Sequence, residues 1–328
     1  METKIGIGIY GGNGHQVHSL LEGHPHAFLA ATAAFDREKL PASLRDDPSV
    51  VHHPSLDALL ADPRVALVSL CSPRRRDQAA EAMKALRAGK HVYAEKPCAM
   101  TEAELDALLA ASRETGRAFR EMAGTAFCAP YDAMRRAVLA GRIGEVVQVA
   151  AEKSYPYHDA RPQDEDDDGG LIAQCAVHAL RFVEHVAGTP IASVAAVETS
   201  LGNPVAGGGL RMAASLTLGL ANGGVASVAA NYLNPRGTGV WGYEALRIWG
   251  TLGMIESTRG GEQTRLVVGG EDHGPLPPTE SLPDYLDLYL DFLRTGKPMP
   301  LTPEEELSPT RWALRAREKA RAAAAAAK

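Results

Sequence analysis

The chain has 328 residues, of which 45% are hydrophobic, and a formal net charge of −6 at pH 7. Because this length exceeds what a single hydrophobic core usually supports, two domains are the expected organisation. The acidic balance offers no basic surface for nucleic acid, and no segment reaches the roughly 20 apolar residues of a membrane-spanning helix. Four cysteines without CxxC spacing predict reduced thiols rather than a zinc site or a disulfide framework. The N-terminus enters a strand pattern directly, so we expect no signal peptide and a cytoplasmic location.

Short apolar runs alternate with amphipathic segments in the first third of the chain, which is typical of β–α–β units and a parallel sheet. The predicted elements here are strand 4–10, helix 16–22, strand 27–35, helix 56–61, strand 66–71, helix 77–88, strand 91–94, helix 101–115 and strand 118–122. Thr101 and Glu104 have the spacing of a capping box at the start of the last helix. The predicted fold class is therefore α/β, with a Rossmann-type, doubly wound parallel sheet in a dinucleotide-binding domain over residues 1–122.

The pattern changes near Met122 and Ala123, where we place the domain boundary. The elements predicted beyond it are helix 131–140, strands 146–154, 193–201, 211–218, 225–232, 245–249 and 265–268, an inserted helix over about 170–186, and helices 284–294 and 303–326. Long strands joined by Gly, Pro and Asn turns indicate a large, mostly antiparallel sheet. Residues 123–328 are thus expected to form an α+β domain for substrate binding and oligomerisation. Its C-terminal helices could pack back on the first domain, and Ser308-Pro309 is an alternative start for the last helix.

A glycine-rich turn, made of Gly11, Gly12, Asn13 and Gly14, follows the first predicted strand. Such a turn lets backbone N–H groups approach a pyrophosphate, and the N-terminus of a following helix adds partial positive charge. The usual GxGxxG spacing is imperfect, because its first glycine would fall on Ile9. On this turn alone, a plain strand–helix turn and a dinucleotide site are about equally supported.

Asp36 ends the second predicted strand, close to the roughly 20-residue offset at which an acidic group binds the adenosine ribose. A carboxylate there repels a 2′-phosphate, so NAD is favoured, although the adjacent Arg37 could pair with that phosphate and leaves NADP possible. Ser72 and Pro73 end the third strand, where a parallel sheet presents loops to its ligand. The basic triplet that follows, residues 74–76, is expected to be a solvated loop.

Glu95, Lys96 and Pro97 follow the fourth predicted strand. The proline excludes helix at Lys96 and can support a cis peptide. An ammonium at this position can polarise an oxygen beside the nicotinamide and stabilise a developing alkoxide. Glu95 could orient the lysine or the nicotinamide ribose. Lys96 is therefore the first predicted catalytic residue, against the alternative of a surface lysine after a strand.

Together, the glycine turn and Glu95-Lys96-Pro97 resemble the glucose–fructose oxidoreductase/inositol dehydrogenase/MocA (Gfo/Idh/MocA) family of nicotinamide-dependent sugar and polyol oxidoreductases. Residues 169–181, GGLIAQCAVHALR, look like that family's stretch of glycines, an aspartate, a histidine one turn later and a further aspartate. In the family the histidine takes the hydroxyl proton as hydride leaves, and the aspartate assists. The resemblance assigns these positions to His178 and Gln174, with Arg181 at the later aspartate. Their spacing of four predicts that Gln174 and His178 share one helix face.

The resemblance implies hydride transfer between NAD(P) and a secondary alcohol or ketone of a sugar, inositol or related polyol. Lys96 would polarise the reacting oxygen, and His178, whose lobe would lie over the nicotinamide, would be the general acid/base. Gln174 cannot hold negative charge, so it would act as a clamp on a substrate hydroxyl. Two alternatives stay open: an NAD-using glycoside-cleaving or lyase enzyme of the same fold, and a non-catalytic NAD-binding homologue.

Further candidates concern the substrate and the assembly. Lys153, Tyr155 and Tyr157 could contact the substrate, although a structural turn explains the tyrosines equally simply and a half-exposed strand lysine is the favoured interpretation of Lys153. The acidic run 164–168 is expected to be a solvated loop, and no metal is predicted. One face of the C-terminal sheet would be bare, so we expect a homodimer or homotetramer through that sheet.

Overall fold

The computed structural model describes residues 4–277 and 282–326 of the chain. These residues separate into two compact units. One unit runs to Met122 and also contains Tyr285–Leu307, and the other comprises Ala123–Asp284 and the chain from Ser308 onward. Each unit is built on its own β-sheet.

The sheet of the N-terminal unit has six parallel strands. They are β1 Ile5–Tyr10, β2 Ala27–Ala33, β3 Val51–His53, β4 Leu67–Leu70, β5 His91–Ala94 and β6 Phe119–Glu121. Their order in space is β3-β2-β1-β4-β5-β6, which is the doubly wound Rossmann order, so the predicted fold class is confirmed. The order reverses between β1 and β4, and the loops that follow these two strands therefore flank the crevice where such sheets bind ligands.

The helices of the N-terminal region follow the prediction closely after residue 50. They are α1 Ala42–Arg45, α2 Leu56–Ala61, α3 Gln78–Arg87 and α4 Glu102–Thr115, with 3₁₀ turns at His18–Leu20, Arg37–Lys39 and Arg75–Asp77. The capping box of α4 is confirmed, because Thr101 and Glu104 each accept a hydrogen bond from the other's backbone N–H. The edge strand β3 was not predicted, since three residues give too short a pattern to recognise.

The helix predicted over residues 16–22 is wrong, because the chain forms only the 3₁₀ turn His18–Leu20 there. The side-chain amide of Gln16 donates to the carbonyls of Tyr10, Gly11 and Ser69, at 3.1, 2.9 and 3.2 Å. These bonds hold the start of the segment against the sheet. At its other end, Gly23 has φ +63°, outside the right-handed helical region. The glycine turn is therefore not followed by an α-helix.

The sheet of the C-terminal unit has eight strands. They are β7 Val146–Ser154, β8 Ile191–Thr199, β9 Ala213–Leu220, β10 Val225–Asn231, β11 Tyr243–Gly250, β12 Gly253–Thr258, β13 Gln263–Val268 and β14 Glu271–Asp272, in the order β14-β13-β12-β11-β7-β10-β9-β8. Only β7 and β10 pair in parallel, which confirms the mostly antiparallel sheet. The prediction missed β12 and β14, because β12 lacks an apolar alternation and β14 has two residues.

One face of this sheet packs against helix, and the other is exposed along β9 and β10. The helices of the C-terminal unit are α5 Tyr131–Leu139, α6 Glu165–Asp168, α7 Val177–Arg181 and the later part of α9 Pro303–Ala326, whereas α8 Tyr285–Thr295 belongs to the N-terminal unit. Residues 172–186 are continuously helical and pack against β7 and β10. On the opposite face Ser215, Thr217, Ser227 and Ala229 are exposed.

The segment 172–186 is helical as predicted, but its ends are π-helical. The π segments Ile172–Ala176 and Phe182–Val186 flank α7. Gln174 lies in the first π segment and His178 in α7, so a spacing of four no longer guarantees a common face.

The last helix begins at Pro303, which excludes the alternative start at Ser308-Pro309. Its first turn carries Glu306, which is buried and accepts hydrogen bonds from the backbone N–H of Glu121 at 2.7 Å and from the hydroxyl of Tyr285 at 2.5 Å. Glu306 also pairs with Arg120 at 3.2 Å, so this turn is fastened to β6. Among the described residues, no helix is both long and apolar enough to cross a membrane.

Candidate functional site

The glycine turn after β1 needs two of its glycines for the protein's own packing. Gly11 has φ +71°, and a Cβ there would lie 2.0 Å from the carbonyl oxygen of Cys71. Gly14 has φ +128°, and its Cβ would lie 2.6 Å from Cγ of Glu95. At Gly12 the nearest atom would belong to Phe35, at 3.6 Å, which is an ordinary contact. The fold itself therefore does not require glycine at position 12.

Most N–H groups of this turn are already hydrogen-bonded within the protein. The N–H groups of Gly11, Asn13 and Gly14 donate to the carbonyls of Ala33, Cys71 and Gly12, at 3.0, 3.3 and 3.2 Å. The N–H of residue 15 donates to a carboxylate described below. Across the part of the chain that the structure describes, the N–H of Gly12 alone in this turn has no acceptor. The turn therefore has one backbone donor to offer a ligand.

Asp36 and Arg37 lie just after β2, and both are exposed. The Asp36 carboxylate accepts a hydrogen bond from the N–H of Glu38 at 3.1 Å and so caps the 3₁₀ turn. The guanidinium of Arg37 donates to the carbonyl of Arg45 at 3.2 Å. The carboxylate thus remains accessible, while the arginine is engaged by the backbone.

Ser72 and Pro73, which follow β4, are tied to their surroundings in different ways. Ser72 is buried, and its N–H donates to the side-chain oxygen of Gln78 at 3.1 Å. Its hydroxyl oxygen is also buried and has no hydrogen-bond partner among the described residues. The carbonyl of Pro73 accepts a hydrogen bond from the side-chain amide of Asn13 at 3.2 Å. The loops after β1 and β4 therefore meet at the sheet's switch point.

The basic triplet is not a uniformly solvated loop, so that prediction is wrong for its middle residue. Arg74 and Arg76 are exposed, but Arg75 is fully buried. Its guanidinium donates to the carbonyl of Asn13 at 2.5 Å and to the side-chain oxygen of Gln78 at 2.6 Å. The spacing in the sequence could have indicated this. Gln78 lies on the buried face of α3, and Arg75 precedes it by three residues, which places the two side chains on the same side of a helical turn.

Glu95 and Lys96 are both buried at the end of β5, which rules out the surface-lysine alternative. The Glu95 carboxylate accepts a hydrogen bond from the N–H of His15 at 2.7 Å and lies 3.6 Å from Nζ of Lys96. Burial raises the pKa of Glu95, but the Lys96 ammonium and the hydrogen bond from His15 outweigh it and hold this pKa well below its usual range. Glu95 is therefore a charged group that joins the glycine turn to Lys96.

The backbone around Lys96 is fixed by one buried amide. The Lys96–Pro97 peptide is cis. The side-chain amide of Gln78 donates to the carbonyl of Glu95 and, at 2.9 Å, to that of Pro97. Gln78 thereby connects the loop after β4 with the loop after β5. No sequence motif marked this glutamine.

His178, in the C-terminal unit, lies between two hydroxyl groups. Its Nε2 is 3.2 Å from the hydroxyl of Tyr155, and its Nδ1 is 3.5 Å from that of Thr125. Tyr155 is buried at the end of the sheet, and His178 is half-buried. The structure therefore brings together two residues that the sequence proposed separately. Thr125 was missed, because nothing in its neighbourhood marks it.

Gln174 is buried, and its amide donates to the backbone carbonyl of Asp168 at 3.1 Å. Asp168 is the last residue of the acidic run, and it is buried rather than solvated, so the loop prediction is wrong there. Its carboxylate pairs with Arg161 at 2.6 Å and accepts a hydrogen bond from the hydroxyl of Tyr232 at 3.4 Å. The family's aspartate is absent, but a buried carboxylate lies close in sequence to Gln174.

Lys153 and Tyr157, the other substrate candidates, have protein partners. Lys153 is buried, pairs with Glu244 at 2.6 Å and lies 4.7 Å from the ring centre of Tyr155. The hydroxyl of Tyr157 accepts a hydrogen bond from Gln163 at 3.2 Å. In the described residues, no three or more His, Cys, Asp or Glu side chains are grouped so that they could hold a metal ion. Cys71, Cys98, Cys128 and Cys175 are free thiols.

Two solved structures share this fold at low sequence identity. The aldose-aldose oxidoreductase of Caulobacter crescentus, complexed with glycerol, superposes with a TM-score of 0.82 at 22% identity, over 98% of each chain. The biliverdin reductase of Synechocystis sp. PCC 6803, in complex with biliverdin and NADP+, superposes with a TM-score of 0.78 at 22% identity, over 96% of this chain and 98% of the reductase. At these identities the likeness shows the fold alone.

Sequence comparison gives a more specific result. The 1,5-anhydro-D-fructose reductase of Ensifer adhaerens is 35% identical over 138 residues, which are 39% of this chain and 40% of the reductase. The chain spans between 32% and 48% of the length of four such curated relatives, all of them oxidoreductases.

Both halves of the chain match family models. Residues 5–122 match the oxidoreductase family with an NAD-binding Rossmann fold, and residues 131–256 match the GFO/IDH/MocA C-terminal domain. Together the two matches span most of the chain. The chain therefore belongs to the Gfo/Idh/MocA family of oxidoreductases, and its N-terminal domain is the NAD-binding Rossmann domain of that family.

Proposed function

We propose that the protein is an NAD(P)-dependent oxidoreductase that transfers hydride between nicotinamide and a secondary alcohol or ketone of a sugar, inositol or related polyol. The observation that carries this proposal is the position of Glu95. Its carboxylate accepts the N–H of His15 in the segment after the glycine turn and lies 3.6 Å from the Lys96 ammonium. A single buried charge thus links the cofactor turn to the group that would polarise a reacting oxygen. The relative that is a 1,5-anhydro-D-fructose reductase supports the sugar-like substrate class.

Several groups at the switch point fit a dinucleotide. The N–H of Gly12 and the buried hydroxyl of Ser72 both lack partners among the described residues, which suits hydrogen bonds to a ligand. The accessible Asp36 carboxylate would accept hydrogen bonds from the adenosine ribose, and Arg37 is engaged by the carbonyl of Arg45, so we propose NAD over NADP. When bound, the nicotinamide ring supplies the hydride acceptor or donor.

In the proposed reaction Lys96 stabilises negative charge on the substrate oxygen while His178 takes or returns the hydroxyl proton. Glu95 holds the lysine side chain in place, because separating this buried pair would be costly. Both ring nitrogens of His178 face hydroxyl oxygens, so either nitrogen can carry the proton while the other keeps a partner. We propose that the Tyr155 hydroxyl, 3.2 Å from Nε2, fixes the orientation of the imidazole through this hydrogen bond.

We further propose that the protein is cytoplasmic and that a second copy packs on the bare face of the C-terminal sheet. The exposed residues of that face include the small Ser215, Thr217, Ser227 and Ala229 and the apolar Val197 and Val225, a surface that another sheet could cover. The free thiols suit a reducing compartment.

Asp36 provides a test of the cofactor. We expect the wild-type protein to bind NAD+ at least about tenfold more tightly than NADP+, because the carboxylate repels a 2′-phosphate; tenfold corresponds to about 1.4 kcal/mol. Asp36→Ser should reduce this preference by raising NADP+ affinity, as measured by isothermal titration calorimetry. Glu38→Ser, at an exposed neighbour, is the control and should keep the preference. Wild-type protein that binds neither dinucleotide would contradict the proposed function.

His178 and Tyr155 provide a test of proton transfer. With NAD+ and a panel of sugars and inositols, His178→Asn should lower kcat by about 10²–10⁴-fold, the range of general acid–base catalysis. Tyr155→Phe removes the hydroxyl at Nε2 and should lower kcat about tenfold, with a changed pH profile. The matched control is Tyr157→Phe, whose hydroxyl bonds Gln163 instead. Equal kcat values for the two tyrosine variants would contradict the proposed role of Tyr155.

The variant Gln174→Asp distinguishes the remaining hypotheses about the activity of this site. The wild-type amide donates to the carbonyl of Asp168, and a carboxylate there would repel that oxygen, so we expect lower stability and lower kcat. Ala221→Asp, in the exposed turn between β9 and β10, controls for the change of charge. A gain in activity of orders of magnitude would instead show a degraded dehydrogenase. Product formation without net NAD+ reduction would favour the glycoside-cleaving or lyase alternative.

Thr217→Arg tests the proposed assembly. An arginine on the bare sheet face would place charge and bulk in a close contact, so we expect the oligomer to dissociate in light scattering. Ala221→Arg, in the exposed turn between β9 and β10, should leave the mass unchanged. If the wild-type protein is monomeric at every protein concentration measured, the proposed packing of a second copy on this face is refuted.

A further inference from the structure

The glycine turn lacks the usual source of positive charge for a pyrophosphate. In most dinucleotide-binding sheets a helix N-terminus after the turn supplies it. Here the turn leads into a 3₁₀ turn of three residues, His18–Leu20. Within residues 4–277 and 282–326, one N–H of the turn, that of Gly12, is left for a ligand. The turn therefore offers a pyrophosphate a single backbone donor and no helix N-terminus.

Arg75 is a cation directly beneath this turn. It is fully buried and donates to the carbonyl of Asn13, inside the turn, at 2.5 Å. Its other hydrogen bond goes to the neutral Gln78, and its Nε, also buried, has no partner among the described residues. No carboxylate in the described chain forms an ion pair with it, although Glu95 is near enough for Arg75 to help lower its pKa. A buried cation whose hydrogen bonds all go to neutral groups is costly, so its presence beside the turn calls for an explanation.

Gly12 adds an independent observation at the same place. Its backbone is exposed, and a Cβ on it would make only an ordinary contact with Phe35 at 3.6 Å. The protein's own packing therefore tolerates a side chain there. Close approach of a ligand to the backbone is a reason for glycine at such a position.

We propose that Arg75 supplies the fixed positive charge that stabilises the pyrophosphate of the dinucleotide, in place of a helix N-terminus. This inference rests on the proposed function, since it requires a dinucleotide on the turn. Arg75 acts from below the turn, so it is a positioning and electrostatic residue rather than a ligand contact. Its charge is buried, so little salt screening is expected. By holding the carbonyl of Asn13, it also turns this negative dipole toward itself and away from the phosphate.

Three variants and two ligands test the proposal by calorimetry. Arg75→Gln keeps a donor for Asn13 but removes the charge, Arg75→Lys keeps the charge, and Arg74→Gln, at an exposed neighbour, is the control. ADP-ribose carries the pyrophosphate, and adenosine does not. We expect Arg75→Gln to weaken ADP-ribose binding at least tenfold and to leave adenosine binding within twofold. Arg75→Lys should stay within threefold of wild type for both ligands, and Arg74→Gln should match wild type.

The outcomes separate this inference from the proposed function. Wild-type protein that binds no dinucleotide overturns both. If wild-type protein binds the dinucleotide and Arg75→Gln keeps the wild-type affinity for ADP-ribose, only the role of Arg75 is overturned. The same holds if folded Arg75→Lys and Arg75→Gln lose equal ADP-ribose affinity. If Arg75→Gln shows no cooperative unfolding, inorganic pyrophosphate is titrated against ADP-ribose on wild type and on Arg75→Lys. If pyrophosphate displaces ADP-ribose from both proteins, the role of the positive charge is supported. If pyrophosphate displaces it from neither, that role is refuted.

Discussion

The ionised carboxylate of Glu95 is the group on which the proposed chemistry depends. It is fully buried, and such a charge is stable only if it is hydrogen-bonded and paired. The His15 N–H provides the hydrogen bond and Lys96 the opposite charge. The absence of a Cβ at Gly14 gives the carboxylate its space, since a Cβ would lie within 2.6 Å of the Glu95 side chain. Cofactor turn, acid and lysine are therefore one structural unit, and a change in any of them disturbs the others.

A layer of buried polar groups supports this unit from below. Gln78 uses both ends of its amide, accepting from Ser72 and Arg75 and donating to the carbonyls of Glu95 and Pro97. Because all of these partners are buried, a replacement at position 78 would leave several polar groups without hydrogen bonds. The loops after β4 and β5 thus owe their shape to a residue on α3 that would not itself touch a ligand.

Local patterns predicted those parts of the molecule that local physics determines. The capping box of α4, the strand β5 and the buried lysine after it follow from spacing within a few residues. The helix predicted at residues 16–22 failed because the Gln16 side chain bonds to carbonyls of two separate strands, which no local pattern reveals. Arg75 and Asp168 each sit in a charged run, where a single buried member is decided by tertiary packing. The hydroxyl partners of His178 come from segments 23 and 53 residues away, so their convergence could not be deduced from spacing.

The π-helical segment Ile172–Ala176 has a consequence for the orientation of the imidazole. A widened turn accommodates one residue more than an α-helical turn would, and it often results from a single inserted residue. Winding the same residues as a regular α-helix, with none removed, would rotate everything downstream by about 100° about the helix axis, the angle per residue at 3.6 residues per turn. His178 would then swing away from the Tyr155 hydroxyl while the rest of the helix stayed intact. The orientation of the proposed acid/base thus depends on the π-helical winding of this segment.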